Sequence, residues 1–210
     1  MRLFYSPGAC SLVAHIALEE AGAEFEAVRV AIAEGAHHRP AYLAVNPRGL
    51  VPALDVDGGV VTETVAILTW VGHASPESGL LPLDDLPALV RVYERLSFFA
   101  SSVHNGFARI FRASRPDLGP PPDDATRRKD REILQAHFVE IDAMLAAGEW
   151  LLGDRYCVAD GYPPAFLRWA RRQGFDVDPY PHWRAHARRM VGRPAVGRVI
   201  AREGLDPSEF

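Results

Sequence analysis

The chain has 210 residues, 27 acidic and 23 basic side chains, and a formal net charge of −4. Hydrophobic residues at 48% and charged residues at 24% are the proportions of a globular chain long enough to bury its own core. The apolar runs are short and broken by charge, and MRLFYSPGAC does not read as a signal peptide, so neither a membrane span nor an export signal is expected. Two cysteines, Cys10 and Cys157, are too few for a disulfide framework and fit a reducing cytoplasm. The C-terminal arginines (Arg168, Arg171, Arg172, Arg184, Arg188 and Arg189) recur at helical spacing among acids and apolar residues. They read as solvated helix faces, and a pI near 6.1 removes the electrostatic drive toward nucleic acid.

In chain order, Arg2–Tyr5 reads as a strand and Ser6-Pro7-Gly8 as a turn. A helix follows over Ser11–Ala21, with Gly22 as its stop signal. Phe25–Ile32 alternates as a strand does, and a short helix fits Pro40–Val45. Val51–Val56 is a strand, Asp57-Gly58-Gly59 a hairpin turn leading to a return strand, and Thr62–His73 a third helix. Strands alternating with helices imply a parallel pair, to which the hairpin adds an antiparallel one. That is the order of a thioredoxin-like fold.

Pro76, Gly79, Pro82 and Pro87 mark a linker, and everything beyond reads as helix. Long apolar periodicities run over 88–112 and 124–147, broken by Pro116–Pro122. Further helices fit 158–172, 180–191 and 194–202. The chain therefore divides into an α/β domain over 1–78 and an all-α bundle over 88–210. Pro163-Pro164 predicts a kink or a late start in the 158–172 helix. His182 and His186 share a helical face, but no third ligand accompanies them, so they read as helix surface and no metal site is expected.

Cys10 stands where a turn gives way to a helix. Free N–H groups at such a start stabilise a thiolate, the nucleophile of disulfide exchange. Val13 fills the second position of what would be a Cys-x-x-Cys, so a second thiol must come from a small molecule. Pro52 at the head of a strand fits an edge position or a cis bond, and a cis bond would turn the Val51 backbone outward to pair with an extended peptide. Glu63-Thr64 opens the third helix. Either residue could serve only as a cap or dipole partner, but together they also suit a ligand bearing both an ammonium and a carboxylate.

These features resemble the glutathione transferases, most closely the bacterial beta class. The matching segments are Leu3-Phe4-Tyr5-Ser6-Pro7-Gly8-Ala9-Cys10-Ser11-Leu12, Val45-Asn46-Pro47-Arg48-Gly49, Val51-Pro52-Ala53-Leu54 and Thr62-Glu63-Thr64-Val65-Ala66-Ile67. Further on come His104 with Phe107, Phe111-Arg112, Leu167-Arg168-Trp169-Ala170, and Arg193-Pro194 with Val196. The resemblance implies a homodimer using glutathione as cosubstrate without a metal, and a small hydrophobic electrophile as the second substrate. It implies that Ala9, Cys10, Leu50, Val51, Pro52, Glu63, Thr64, His104 and Asn105 bind glutathione. Cys10 and His104 would act at the sulfur, with Ser11 and Tyr5 as alternative hydroxyl donors. Phe107, Phe111 and Trp169 would line the electrophile pocket.

The sequence departs from the family pattern at Asn105, where a Lys is common, and at Ser97 and Ser102, where an Asn and an acid are common. Gly35, His37 and His38 fill the region of another expected Lys. Each lost charge partner would weaken glutathione binding by about 1–3 kcal/mol unless Arg or His residues compensate. The departures keep alive an alternative: a hydrophobic-ligand carrier or interaction protein of low activity on the same fold.

Overall fold

The computed structural model describes residues 1–112 and 120–210. A four-stranded sheet is built from β1 (Arg2–Tyr5), β2 (Glu26–Arg29), β3 (Ala53–Val56) and β4 (Gly59–Thr62), in the order β2-β1-β3-β4. β1 and β2 run parallel, with Phe4 opposite Val28, while β1–β3 and β3–β4 are antiparallel. Asp57 and Gly58 both take positive φ, as a two-residue hairpin between twisted strands requires. The observed β2 is shorter than the predicted Phe25–Ile32, because the chain turns into single 3₁₀ turns at Ile32–Glu34 and Ala36–His38. β3 likewise begins only at Ala53, beyond the cis Val51–Pro52 bond.

Both faces of the sheet are covered. Leu3 and Tyr5 point into the main core, while Phe4 points the other way into a small cluster with Val30, Tyr42, Val51 and Ala53. On the main-core side lie α1 (Ser11–Glu20) and α3 (Thr64–Ala74); α2 (Pro40–Leu43) brings Tyr42 to the other. Residues 11–18 of α1 are all buried, which marks a helix enclosed on every side rather than an amphipathic one. Thr62, predicted to begin the third helix, instead ends β4.

The helical domain contains α4 (Leu86–Phe98), α5 (His104–Arg112), α6 (Asp124–Leu145), α7 (Tyr162–Arg172), α8 (Pro181–Val191) and α9 (Pro194–Glu203). α4 and α5 join through one widened π turn at Phe99–Val103, where the periodicity had predicted one helix. There Ser101 Oγ and Asn105 Nδ2 each donate to the carbonyl four residues back, at 2.7 Å. Such turns re-phase a helix, and this one sits directly before His104. Residues 116–119 of the predicted Pro116–Pro122 break lie outside the described residues.

Pro163 and Pro164 have their expected effect. A 3₁₀ turn over Val158–Gly161 precedes α7, and both prolines fall in its first turn, where no N–H is needed. Asp160 anchors this start. Its buried carboxylate accepts from Cys157 N at 2.8 Å, Leu151 N at 2.9 Å and His186 Nε2 at 2.9 Å. The surface reading therefore fails for His186, which is 1% exposed; only His182 is exposed.

Candidate active site

The β1–α1 turn forms the floor of the site and is gripped from both sides. Gly8 has φ +66°, and a Cβ there would meet the Arg168 guanidinium at 2.2 Å. Its N–H donates to Glu203 Oε2 of α9 at 2.7 Å, and its carbonyl accepts from Trp169 Nε1 of α7 at 2.7 Å. Glu203 also bonds His15 Nδ1 at 2.7 Å, with both side chains fully buried.

Cys10 is the last residue before α1 and is partly buried. Its thiol donates to the Val51 carbonyl at 3.1 Å. Burial pushes the thiol pKa up to about 11; the Cys10 and Ser11 N–H groups and the Thr64 hydroxyl pull the other way but do not win. The expected helix-start thiolate is thus corrected: desolvation outweighs the helix start. Leu50 precedes the cis Val51–Pro52 bond, and its carbonyl accepts from Tyr42 Oη at 2.6 Å and Asn46 Nδ2 at 2.7 Å. Among the described residues, none accepts the Val51 N–H.

Glu63 occupies the N-cap position of α3 with φ +70°, unusual for a residue with a side chain, and its carboxylate does not cap the helix. It pairs instead with Arg48 in solvent. Thr64 beside it is buried. Facing them, the His104 ring tilts against Trp169 at 5.4 Å, and Trp169 meets Phe111 edge-on at 5.5 Å. Burial lowers the His104 pKa below its ordinary value, so its imidazole is neutral at pH 7.

These groups line one cleft of about 1030 Å³. It gathers Ala9, Cys10, Leu50, Val51, Pro52, Glu63 and Thr64 from the sheet domain with His104, Asn105, Phe111 and Trp169 from the helical one. Three predicted residues do not reach it. Tyr5 packs into the core with its ring 5.0 Å from His15. The Ser11 hydroxyl is spent on the Ser6 backbone, accepting from its N–H and donating to its carbonyl, both at 3.1 Å. Phe107 is fully buried and stacks on Phe111 and Phe166, so it backs the aromatic wall without lining it.

His37 and His38, with ring centroids 3.8 Å apart, line the cleft in the region of the missing Lys. Ser97 and Ser102 do not line it. Tyr162 and Arg112 line it and had no assigned role; Arg168 and Arg172, read from the sequence as solvated helix faces, line it too. Arg168 is in fact 8% exposed and forms an ion pair with Glu209 Oε2 at 2.7 Å. Its position directly before Trp169 was the available signal.

Residues 1–73 match the family model for the glutathione S-transferase N-terminal domain. The chain is similar to glutathione S-transferase GstA of Escherichia coli O157:H7, with 34% identity over 98% of this chain and 100% of that protein. Among solved structures it is similar to a sphingomonad glutathione S-transferase complexed with glutathione, at 39% identity and a TM-score of 0.85, covering 98% of this chain and 100% of that one. A bacterial beta-class enzyme from Sphingomonas chungbukensis is similar at 37% identity and a TM-score of 0.85, with the same coverage. The chain belongs to the glutathione S-transferase family.

Proposed function

We propose that the protein is a glutathione transferase that binds glutathione in this cleft and promotes attack of its sulfur on a hydrophobic electrophile. The observation that carries this reading is the meeting of Cys10, Val51 and Glu63 with His104 and Trp169 around one opening. Glutathione would lie extended along residues 50–52, exchanging backbone hydrogen bonds with Val51. Its γ-glutamyl ammonium would share Glu63 with Arg48, and its α-carboxylate would meet the start of α3 at Thr64. Ala9, Leu50, Pro52 and Asn105 would complete the surround.

The glutathione thiol would lie beside Cys10 and the neutral His104 imidazole. Loss of its proton to solvent leaves a thiolate, which displaces the leaving group of an electrophile held against Phe111 and Trp169. With a disulfide as the electrophile, the Cys10 sulfur, on losing its proton, would bond to one disulfide sulfur to form the mixed disulfide while the S–S bond breaks and the other sulfur leaves as a thiolate.

We further assign residues 1–78 to the glutathione domain and 88–210 to the domain supplying the electrophile wall. The protein would act in the cytoplasm as a homodimer; Leu86 and Val90, one turn apart on α4 and 69% and 56% exposed, offer apolar surface for a second copy. Calorimetric titration with reduced glutathione tests the reading beside Glu63→Ala. Binding that the variant weakens strongly is expected; no binding to the wild type would overturn it.

A further inference from the structure

The aromatic end of the cleft is cationic although the chain as a whole is acidic. Arg112 ends α5, directly after Phe111, and is exposed. Arg168 and Arg172 lie one turn apart on α7, on either side of Trp169 in sequence. All three line the cleft, and among the described residues no acidic residue lines it at this end; the one lining carboxylate among them, Glu63, is paired with Arg48.

Compensation is incomplete. Arg168 Nε and Arg172 Nη1 share the single carboxylate of Glu209, one oxygen each, at 2.7 and 2.8 Å. Among the described residues, Arg112 has no carboxylate within ion-pair distance. Among the described residues, the three guanidinium groups thus have one ion-paired carboxylate, Glu209, with Glu203 acting on Arg168 from behind the cleft, beside an apolar wall of Phe111 and Trp169. A guanidinium fork matches a carboxylate in shape, and low-dielectric aromatic walls strengthen its field.

We infer that the second substrate is an anionic electrophile: an aromatic or conjugated body seated on Phe111 and Trp169, carrying a carboxylate read by Arg112 and Arg172. This rests on the glutathione-transferase reading and names its substrate class. In the step implied, the glutathione thiolate bonds to the electrophilic carbon and the leaving group departs with the bonding pair. The carboxylate stays ionised and takes no part in bond making.

The test separates this inference from the reading beneath it. With S-methylglutathione present at saturation, the unreactive pair 3,5-dinitrobenzoate and 3,5-dinitrobenzamide is titrated calorimetrically into the wild type, Arg112→Gln and Arg172→Gln. The expected result is acid binding about tenfold or more tighter than amide in the wild type, as a charge-assisted contact implies. Each variant should cut that ratio several-fold, and added salt should cut it too. Turnover of 4-chloro-3,5-dinitrobenzoate against its amide, corrected for the uncatalysed rates, should show the same preference in kcat/KM. Equal binding of acid and amide by the wild type, or a ratio unmoved by both substitutions, overturns the inference. Failure of S-methylglutathione to bind would instead count against the glutathione site, while the acid-to-amide ratio still decides the anion preference.

Discussion

The Cys10 thiol donates to the Val51 carbonyl across 3.1 Å, tying the start of α1 to the segment ahead of β3. A carbonyl stabilises a proton on sulfur, not a negative charge, so this contact and burial act in the same direction. Two opposed features of a thioredoxin-like site therefore meet at one sulfur: the helix start favours thiolate, and its surroundings favour thiol.

The first prediction concerns that balance. With a pKa of about 11, Cys10 is thiolate in roughly one molecule in ten thousand at pH 7. Alkylation of the ligand-free protein by iodoacetamide should be slow at pH 7 and rise close to tenfold per pH unit toward pH 10. Mass spectrometry separates Cys10 from the buried Cys157. An inflection near neutral pH would show that the helix start controls this thiol after all.

His104 makes the second prediction. Burial disfavours its charged form, so its folded pKa lies below the unfolded value. Between the two the unfolded chain binds more protons, and the contribution to stability is present above the unfolded pKa and lost as pH falls through the folded one. The imidazole resonances should titrate with a midpoint below the ordinary 6.5. His104→Gln should flatten the loss of stability on acidification that this group causes. A midpoint above 6.5 would mean that the negative charge of Glu63 dominates instead.

A third prediction lies away from the cleft. Asp160 satisfies three buried donors, the N–H groups of Leu151 and Cys157 and the ring of His186. Asp160→Ala strands them together, and each buried donor left unsatisfied costs about 1–3 kcal/mol. For a chain of this size each kcal/mol lowers Tm by about 2–4 °C. A loss below about 3 °C in a melting experiment would mean that water replaces the carboxylate.

The strand–helix order, the hairpin and most helix limits were legible because hydrophobic period and turn residues act locally. Most of the residues expected at the cleft meet there for a related reason: Cys10, Val51 and Glu63 sit at element boundaries, which sequence marks with Pro, Gly and caps. The misses were long-range. Ser11 and Tyr5 carry hydroxyls suited to chemistry, but whether such a group faces a cleft or a neighbouring carbonyl depends on segments distant in sequence. Phe107 sits one turn from both Val103 and Phe111, and spacing alone does not show that it is wholly buried with Val103 while Phe111 reaches the cleft. Arg168 and His186 looked like surface residues because their carboxylate partners, Glu209 and Asp160, stand 41 and 26 positions away.

The last prediction concerns Gly8, clamped between Glu203 and Trp169 with Arg168 against its Cα. The clamp makes α7 and α9 part of the floor beneath Cys10. Gly8→Ala must hold a side chain at φ +66°, which costs about 1–2 kcal/mol, and must also push the Arg168 guanidinium aside. Trp169→Phe keeps an aromatic wall and removes only the donor to the Gly8 carbonyl, at about 0.5–1.5 kcal/mol. Glu203→Gln faces two donors with one acceptor oxygen, so either Gly8 or His15 loses its partner, at about 1–3 kcal/mol. The expected order of Tm loss is therefore Gly8→Ala and Glu203→Gln ahead of Trp169→Phe. Each variant should also speed Cys10 alkylation at fixed pH, because a loosened turn exposes the thiol. Lower Tm with unchanged alkylation would reduce the clamp to a general stabiliser, and unchanged Tm in Gly8→Ala would show that the turn yields without cost.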